Sequence, residues 1–371
     1  MKLLIFISSL SGGGAERVTT NLANHWAAKG WEITIVTLAS QNDDFYELNP
    51  AVKRIALKLD GGSSNALIGL MQNLRRVFAL RQVLRQMQPD IALAMMTGAN
   101  VLLALASWGL TQIRTVGSER IYPPQHPLGA AWEWLRSKSY GRLGAMVAQT
   151  NEGAEWIVAN TSARRVVVIP NPVNWPLTNQ LPHLEVKEVC RTGRNLLLAV
   201  GRLSSQKQFG LLVDCFQSLA NRHSDWDMVI LGEGPLRSAL EAQVLAAGLE
   251  KRVFFPGSAG NVGDWYNCAD LYVMSSRFEG FPNTLLEAMA YGLPVVSFDC
   301  DTGPREIIRH GVNGLLVPLG NVAGLTQALD QLMGDAALRQ RLAARAVEVR
   351  ERFSMVRIAG MWETLFKEVN K

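Results

Sequence analysis

Short apolar runs alternate with longer amphipathic segments along almost all of this 371-residue chain. Such runs are typical of parallel strands buried on both faces of a sheet, and the segments between them suit helices. The alternation stops at Pro170-Asn-Pro172 and restarts at Leu196. We therefore predict an α/β chain with two doubly wound, Rossmann-like domains at residues 1–173 and 195–350, joined by a linker at 174–194.

The remaining residues, 351–371, have a helical pattern, and we expect this C-terminal tail to pack back on the N-terminal domain. Parallel sheets of this kind bind ligands beyond the carboxyl ends of their strands. Two such domains facing each other would therefore bind ligands in the cleft between them.

One segment is apolar enough to raise the question of a membrane span. Ile91–Leu110 contains no charged residue, and a stretch of about 20 apolar residues can cross a bilayer. However, Thr97-Gly-Ala-Asn100 in its middle is a signal for a turn and a helix cap. A strand followed by a buried helix is therefore favoured.

Basic residues are concentrated in the first half of the chain. Residues 1–184 contain 17 Lys and Arg against 11 Asp and Glu, whereas residues 185–371 contain 20 against 21. The basic half suits a phosphate-rich partner or a membrane surface, but the excess is too small for a nucleic-acid partner, and no nucleic-acid motif is present. The four cysteines form no CxxC pair, which indicates free thiols in a reducing compartment such as the cytoplasm.

The stretch from Glu279 to Glu287 has the strongest features of a binding site. Pro282 suits the first turn of a helix, and this would leave the backbone N–H groups of residues 282–285 pointing out of the helix end. Such an end attracts phosphate. Asn283 and Glu287 would share one helix face. We therefore predict an anion site with one carboxylate in front of it and another one turn behind.

Two loops have residues that suit a phosphate ligand. Arg202 and Lys207 follow the first strand of the second domain and could bind phosphate oxygens, although two solvated surface cations are the alternative. Gly13 and Gly14 follow the first strand of the chain and could let phosphate approach the backbone. A tight turn without a ligand is the alternative there, because the third glycine of the dinucleotide fingerprint is missing.

Asp299-Cys-Asp301 has the spacing of a motif that holds a nucleotide-bound metal. Two carboxylates near a turn are more often caps or solvated groups. Arg202 and Lys207 could also neutralise a diphosphate without a metal. We therefore expect neither a metal nor a cofactor.

Three residues of the first domain are candidates for contact with a second substrate. Glu119 follows the fifth strand and could accept hydrogen bonds from sugar hydroxyls, or it could form an ordinary ion pair with Arg120 or a neighbour. His126 lies in a loop that would face the cleft, and it is the histidine that merits a test.

The predicted helix at Ala66–Gln88 interleaves arginines with apolar residues. Peripheral membrane helices have this pattern, although an ordinary amphipathic helix with its apolar side in the core fits equally well. The arginines proposed to contact a membrane or a diphosphate are Arg75, Arg76, Arg81 and Arg85.

Taken together, these motifs resemble the retaining glycosyltransferases of family 4, which have the two-domain GT-B fold. The resemblance covers nearly the whole chain, and it depends on the order and spacing of the motifs more than on any one of them. The motifs are Ser11–Arg17, Ile169–Val173, Gly201–Lys207, Gly232–Pro235, Glu279–Glu287 and Thr302–Ile307.

The resemblance implies transfer of a sugar from a nucleotide diphosphate with retention of its anomeric configuration. Arg202 and Lys207 would bind the diphosphate. Glu287 would bind the ribose, and Glu279 the donor sugar near its reacting carbon. Negative charge develops on the leaving diphosphate, so these groups favour a front-face route in which a leaving phosphate oxygen takes the acceptor proton. Backbone N–H groups for sugar and phosphate would come from Gly280, Phe281, Pro282, Asn283, Thr284 and Leu285.

The acceptor is implied by the first domain. Gly13 and Gly14 would admit phosphates of the donor or the acceptor. Many relatives have a histidine where this chain has Ser118-Glu-Arg120, and the Ser-Glu-Arg version resembles the branch that extends lipid-linked oligosaccharides and surface polysaccharides such as O-antigen. The expected partners are a UDP-hexose or UDP-N-acetylhexosamine and a polyprenyl-diphosphate-linked saccharide at the cytoplasmic face of the membrane.

Two other functions remain open from the sequence. One is a sugar-nucleotide hydrolase or epimerase with the same fold. The other is a non-catalytic, nucleotide-binding subunit of a polysaccharide assembly. The presence of both Glu279 and Glu287 argues against the second, because a scaffold does not need both carboxylates.

Overall fold

The computed structural model describes residues 1–62, 65–125, 127–189 and 191–369. The chain divides into two compact units. The first consists of Met1–Pro172 together with the C-terminal helix that begins at Met355, and the second is Val173–Ser354.

The first unit is built on a seven-stranded sheet in which all neighbouring strands are parallel. In chain order the strands are β1 (Lys2–Ile7), β2 (Glu32–Thr37), β3 (Lys53–Ala56), β4 (Ile91–Met95), β5 (Arg114–Ser118), β6 (Ala145–Ala148) and β7 (Val166–Val168). Their spatial order is β3-β2-β1-β4-β5-β6-β7. The order reverses between β1 and β4, so the carboxyl ends of these two strands form the expected ligand crevice of this sheet.

The helices of the first half of the chain are α1 (Gly14–Ala28), α2 (Ala66–Met87), α3 (Thr97–Ala106), α4 (Ala130–Ser139) and α5 (Asn151–Asn160). Asn65 and Thr150 start α2 and α5 by accepting hydrogen bonds from backbone N–H groups of the first turn. The uncharged segment at 91–110 is β4 followed by the buried helix α3, as predicted. Among the described residues, no helix is both long and apolar enough to cross a membrane.

The second unit contains a six-stranded parallel sheet. Its strands are β8 (Asn195–Val200), β9 (Trp226–Leu231), β10 (Val253–Gly257), β11 (Leu271–Met274), β12 (Val295–Asp299) and β13 (Leu315–Pro318), and their spatial order is β10-β9-β8-β11-β12-β13. Here the order reverses between β8 and β11. The loops that follow these two strands therefore begin side by side at one edge of the sheet.

The helices of the second unit pack on both faces of its sheet, as in other doubly wound folds. They are α6 (Phe209–Leu219), α7 (Arg237–Ala246), α8 (Val262–Cys268), α9 (Asn283–Ala290), α10 (Pro304–Ile307), α11 (Val322–Gly334), α12 (Ala336–Ala346) and α13 (Val349–Arg352). Phe216 of α6 and Leu329 of α11 are fully buried in one core cluster with Trp226 of β9.

The C-terminal helix α14 (Met355–Val369) belongs to the first unit. Its Trp362 and Phe366 are fully buried, and the Phe366 ring lies 5.6 Å from the ring of Trp26 in α1. Glu363 accepts hydrogen bonds from Trp26 Nε1 at 3.2 Å and from Lys29 Nζ at 2.7 Å. Residues 351–354, which we predicted with this helix, are instead part of the second unit, where Arg352 donates to the carbonyl oxygen of Ile307 at 2.9 Å.

The segment predicted as a linker, residues 174–194, is also part of the second unit. Backbone N–H groups of Leu177 and Gln180 donate to Tyr291 Oη at 2.9 Å and to the carbonyl oxygen of Gly260 at 3.1 Å. A Cβ atom at Gly260 would overlap the backbone of Gln180, so glycine is what permits this close approach. The prolines that suggested a linker therefore mark an irregular segment that packs on α8 and α9.

Candidate active site

An ion pair between Lys207 and Glu279 lies at the carboxyl edge of the second sheet. Lys207 belongs to the loop after β8 and Glu279 to the loop after β11, and Lys207 Nζ lies 2.6 Å from Glu279 Oε1. Their side chains are only 15% and 10% exposed. Gly201 makes room for the lysine, since a Cβ atom there would lie 2.9 Å from Lys207 Cε. The structure thus brings together two site residues that are far apart in sequence.

The two loops that hold this pair are fixed to each other by three hydrogen bonds. Ser275 Oγ donates to the carbonyl oxygen of Lys207 at 2.7 Å. The backbone N–H of Arg277 donates to the carbonyl oxygen of Gln206 at 2.8 Å, and Gln206 Nε2 donates to that of Phe278 at 2.8 Å. The geometry of the ion pair is therefore fixed by hydrogen bonds between the two loops as well as by the attraction of its charges.

Arg202 lies at the start of the same loop, and its side chain is exposed. Within the described part of the chain, its guanidinium makes no hydrogen bond or ion pair. Gly232 and Gly234 pack directly against this loop, because Cβ atoms at these positions would overlap the carbonyl oxygens of Gly201 and Leu203. The Gly232–Pro235 motif therefore permits close packing against the Arg202 loop, and the Arg202 side chain is left available for an anion.

Helix α9 begins at Asn283, and Pro282 is its N-cap rather than part of its first turn. Pro282 makes no side-chain cap hydrogen bond at this end. The prediction that residues 280–285 all supply N–H groups is wrong for Pro282, which has no N–H. The side chains of Phe281 and Leu285 are buried, so these two residues can face a ligand only through their backbone.

Glu287 is 5% exposed, and Tyr266 Oη donates to its Oε2 at 3.3 Å. Tyr272 Oη donates to Thr284 Oγ1 at 2.8 Å. Burial raises the pKa of the Tyr272 phenol, and the nearby carboxylates of Glu279 and Glu287 raise it further. Tyr272 therefore remains a protonated donor behind α9.

The loop after β12 supports the Glu279 loop from the other side. Thr302 Oγ1 donates to the carbonyl oxygen of Glu279. Gly303 has φ +98°, and a Cβ atom there would lie 2.6 Å from Pro282 Cδ. Cys300 Sγ donates to the carbonyl oxygen of Ser276 at 3.2 Å, and burial with the nearby Glu279 carboxylate raises the pKa of this thiol to about 12. Three strand-end loops thus converge on Glu279.

Sequence reasoning missed Tyr266, Tyr272 and Thr302 as parts of this site. Tyr272 lies in the apolar run Leu271–Met274, which looks like ordinary core, and nothing next to Tyr266 marks it as part of a site. Thr302 enters the sequence analysis only within a motif of the resembling family. The predicted D-x-D pattern has another role in part, since Asp299 Oδ1 accepts from Arg305 Nε at 2.9 Å. The described residues contain no cluster of His, Cys, Asp and Glu that could hold a metal.

In the first unit, the loop after β1 leads into α1 through Gly13, its N-cap. The Glu16 carboxylate lies so close to Gly13 that a Cβ atom there would overlap it. Burial raises the pKa of Glu16, although a backbone hydrogen bond opposes this shift. A phosphate that approached Gly13 and Gly14 would meet this carboxylate, which sequence reasoning did not take into account.

Glu119 is 3% exposed and both of its carboxylate oxygens are engaged within the unit. Thr97 Oγ1 donates to Oε2 at 2.7 Å, and Tyr140 Oη donates to Oε1. The alternative interpretation, an ion pair with Arg120, is not among its described contacts. In this conformation Glu119 therefore does not present a free carboxylate to sugar hydroxyls, because the hydroxyl groups of the protein already occupy it.

Arg120 is also buried, at 7% exposure, beside the carboxyl ends of β5 to β7. Its guanidinium donates to Asn171 Oδ1, which also accepts from Gln149 Nε2 at 2.8 Å. Burial lowers the pKa of Arg120 to about 9, so it remains charged at neutral pH. Its Nε and the Gln149 Oε1 have no partner among the described residues. His126 lies outside the described residues.

Replacing Glu119 with glutamine is expected to stabilise the first unit at neutral pH relative to wild type. Burial raises the pKa of Glu119 above its ordinary value of 4.5, so the folded state holds the proton more tightly than the unfolded chain does. The stability that Glu119 contributes is thus present below the unfolded pKa and lost as pH rises through the folded pKa. Glutamine carries no charge at either pH, so it avoids this loss. Its Oε1 can accept from the Tyr140 hydroxyl, and its Nε2 can donate to the Thr97 hydroxyl oxygen.

The measurement is urea unfolding of both proteins at about pH 5 and about pH 8. The stability difference should favour the glutamine variant more at the higher pH. A difference that is independent of pH would contradict a raised pKa at Glu119. Glu155→Gln, the same substitution at an exposed position of α5, is the control for general effects of substitution.

The four arginines of α2 do not share one environment. Arg76 donates to the carbonyl oxygens of Leu59 and Gly61, both at 2.8 Å, and Arg81 donates to those of Ala106 and Trp108 at 2.7 and 2.6 Å. The backbone of the unit therefore already binds these two guanidinium groups, which makes them less available for the predicted contact with a membrane or a diphosphate.

Arg75 and Arg85 are exposed, and so is an apolar stripe on α2. The stripe follows helical spacing and includes side chains as exposed as Leu67 at 76% and Phe78 at 68%. An ordinary amphipathic helix would bury this stripe in the core. We define the apolar stripe of α2 as Leu67, Leu70, Met71, Leu74 and Phe78.

Comparison with known proteins identifies glycosyltransferase sequences in both halves of the chain, in agreement with the resemblance described above. Residues 13–172 match the family model described as glycosyl transferase 4-like domain, and residues 183–349 match glycosyl transferases group 1. The amylovoran biosynthesis glycosyltransferase AmsD of Erwinia amylovora is 27% identical over 350 residues, covering 93% of each chain.

Two further similarities cover almost the whole length. An α-1,4-N-acetyl-D-galactosaminyltransferase of Campylobacter jejuni, named for an undecaprenol-diphosphate-linked acceptor, is 26% identical over 373 residues, covering 100% of this chain and 99% of its own. The crystal structure of HepE from Anabaena in complex with UDP superposes with a TM-score of 0.80 at 20% identity, covering 99% of this chain and 100% of HepE. The predicted fold class is confirmed, and the chain belongs to the group 1 glycosyltransferases with a glycosyltransferase 4-like N-terminal half and the GT-B fold.

Proposed function

We propose that this glycosyltransferase moves a hexose or N-acetylhexosamine from a UDP-sugar to a polyprenyl-diphosphate-linked saccharide, with retention of configuration. The observation that carries this proposal is the buried Lys207–Glu279 ion pair beside the uncapped N-terminal end of α9. Positive charge and backbone N–H groups at one sheet edge suit a diphosphate, and a carboxylate among them suits sugar hydroxyls.

The donor diphosphate would be bound by three positive groups. They are the exposed guanidinium of Arg202, the ammonium of Lys207 and the N-terminal end of α9. Because these groups are aimed at the leaving diphosphate, they stabilise the charge that develops there during transfer. We therefore propose that these groups, rather than a metal ion, neutralise the leaving group. Glu287, held by Tyr266, would bind the ribose.

The proposed chemistry is a front-face displacement. The bond between the anomeric carbon and the donor phosphate oxygen breaks as the acceptor oxygen forms its bond on the same face of the sugar. The proton of the acceptor hydroxyl passes to the leaving phosphate oxygen. Glu279 would hold the donor sugar through its hydroxyls, and Lys207 and the Thr302 hydrogen bond would keep Glu279 in place.

The ligand bound to one similar protein and the acceptor for which another is named support the choice of substrates. HepE was crystallised with UDP, and the Campylobacter relative is named for an acceptor on undecaprenol diphosphate. An acceptor of this kind lies in a membrane, so the enzyme has to work at a membrane surface. We propose the cytoplasmic face, where nucleotide sugars and reduced thiols would both be found.

The membrane contact that we propose is made by α2. Its apolar stripe would enter the interface, while Arg75 and Arg85 would meet anionic lipid headgroups. Each cation near an anionic surface contributes about 1 kcal/mol. Replacing both arginines with glutamine is therefore expected to lower binding to anionic vesicles roughly thirtyfold. Cosedimentation with vesicles of phosphatidylglycerol and phosphatidylethanolamine measures this.

The control is Arg164→Gln/Arg341→Gln, which removes two exposed arginines elsewhere. It should bind vesicles almost as wild type does. Leu74→Ser/Phe78→Ser should weaken binding to neutral vesicles as well, because it removes apolar area rather than charge. Equal binding by wild type and both α2 variants would exclude this helix as the contact.

The function is tested with a UDP-sugar panel and lipid-linked acceptors extracted from bacterial membranes. The expected product is an extended lipid-linked saccharide whose new linkage has the donor's anomeric configuration by NMR. Rapid consumption of donor without any acceptor would favour a hydrolase or an epimerase. Calorimetric binding of UDP without transfer to any acceptor would favour a non-catalytic subunit.

A further inference from the structure

An open cavity in the second unit takes no part in the chemistry described above. It measures about 460 Å³, within the usual range for small-molecule sites. It lies at the C-terminal end of α9, whose N-terminal end carries the donor residues, and it is closed on one side by the segment after Val173. The side chains that matter here are Trp175, Asn179, Asp264, Asn267 and Tyr291.

Trp175 supplies a partly exposed aromatic ring. Its side chain is 46% exposed, and the guanidinium of Arg350 lies 3.4 Å from the ring centroid. Arg350 Nε donates to the carbonyl oxygen of Ala290 at 2.7 Å, so the cation that covers the indole is itself held in place. A fixed indole with exposed surface suits the apolar C–H face of a sugar ring.

The polar groups of the cavity suit hydroxyls. Asn179 and Asn267 are exposed, and their amides make no hydrogen bond within the described chain. The Asp264 carboxylate accepts from Asn261 Nδ2 at 2.9 Å and lies 3.6 Å from His183. Each amide can donate and accept a hydrogen bond, and the carboxylate can accept one. Together they match hydroxyl groups, which also donate and accept hydrogen bonds.

We propose that this cavity is a second saccharide-binding site, which takes a neutral sugar unit stacked on Trp175. The hydroxyls of the sugar would form hydrogen bonds with Asp264, Asn179 and Asn267. An anionic ligand is disfavoured because Asp264 stands in the wall, and a purely apolar ligand would bury two amides without partners. The site is separate from the donor residues and needs no donor for binding.

Saturation-transfer NMR tests the proposal with four neutral disaccharides, which are maltose, cellobiose, lactose and N,N′-diacetylchitobiose. UDP and UDP-sugars are left out. At least one disaccharide is expected to bind wild type, and Trp175→Ala and Asn267→Ala should each weaken that binding about tenfold. The matched control is Trp134→Ala, which removes another exposed tryptophan, at 61% exposure on α4.

Asn267→Ala removes no hydrogen bond to the described residues, so it keeps the test decisive even where Trp175→Ala misfolds. Tyr291 is left unchanged because its ring lies 5.4 Å from Tyr266, which bonds to Glu287. Absence of binding by all four sugars, or unchanged binding in folded Trp175→Ala and Asn267→Ala, would overturn the proposal. Neither result bears on sugar transfer, since no donor is present.

Discussion

Replacing Lys207 with methionine is expected to lower kcat/KM for sugar transfer by about a thousandfold. The Lys207 ammonium holds Glu279 at 2.6 Å, and in the proposed mechanism it also faces the leaving diphosphate. Loss of one preorganised electrostatic group commonly lowers the rate about a hundredfold to a thousandfold. The substitution removes the positive charge of Lys207 and also releases the Glu279 carboxylate from its partner. We therefore expect an effect at the upper end of this range. Initial rates at varied donor concentration measure the effect.

The same substitution is expected to destabilise the second unit. The two side chains are only 15% and 10% exposed, so methionine leaves a mostly buried carboxylate without its cation. Breaking a buried pair costs about 3–5 kcal/mol, whereas replacing both charges with neutral groups is often close to neutral. A fall in activity could therefore come from lost stability or from lost catalysis, and a further variant is needed to separate the two.

The double variant K207M/E279Q makes that separation. It should recover most of the unfolding free energy lost in K207M, yet remain as inactive in transfer. Urea unfolding and transfer assays on wild type, both single variants and the double variant give the comparison. Transfer by the double variant at near wild-type rate would show that the pair serves only the fold.

Replacing Trp362 with alanine is expected to destabilise the first unit by about 3–5 kcal/mol, the usual cost of removing a large buried aromatic side chain. The indole is fully buried, and its ring lies 5.8 Å from that of Phe366, which in turn packs on Trp26. The cavity left by alanine would lie between α14 and the rest of the unit. Urea unfolding with far-UV circular dichroism measures the loss.

The matched control is Met361→Ala on the same helix. Met361 is 36% exposed, so its loss should cost well under half as much. Both variants change α14 by one large-to-alanine substitution and have similar helix propensity effects. Equal destabilisation by the two would mean that the helix, rather than the buried indole, determines the result.

The parallel sheets could be predicted from the sequence because their strands are buried on both faces. The run Val295–Phe298 is apolar apart from Ser297, as a strand buried on both faces requires, and the strand β12 extends it by one residue. The linker could not be predicted correctly, because Pro176 and Pro182 indicate irregular backbone but not where it packs. Its position depends on partners around Gly260 and Tyr291.

The candidate donor site was partly predictable. Lys207 and Glu279 both follow strands at the point where the sheet order reverses, so the rule for ligand sites in parallel sheets brings them to one edge. Their direct ion pair could not be derived from spacing, since 72 positions separate them. Tyr266 and Thr302 could not be found either, because nothing in their local sequence identifies a hydrogen-bond partner far along the chain.

In the first unit, sequence patterns made polar residues look more available than they are. Glu119 and Arg76 look like surface charges in sequence, yet each is bound by groups far along the chain. Glu119 is enclosed by hydroxyls of Thr97 and Tyr140, and Arg76 by backbone oxygens near residue 60. Charge patterns alone therefore overestimate how many polar residues are available for substrates or membranes.

The return of α14 to the first unit has a consequence for synthesis on the ribosome. Domains generally fold in the order in which they are translated. Here the second unit, Val173–Ser354, is complete before the last helix of the first has been made. Until then, Trp26 lacks the cover of Phe366. The nascent first unit therefore keeps this apolar surface open through the translation of the 182 residues of the second unit.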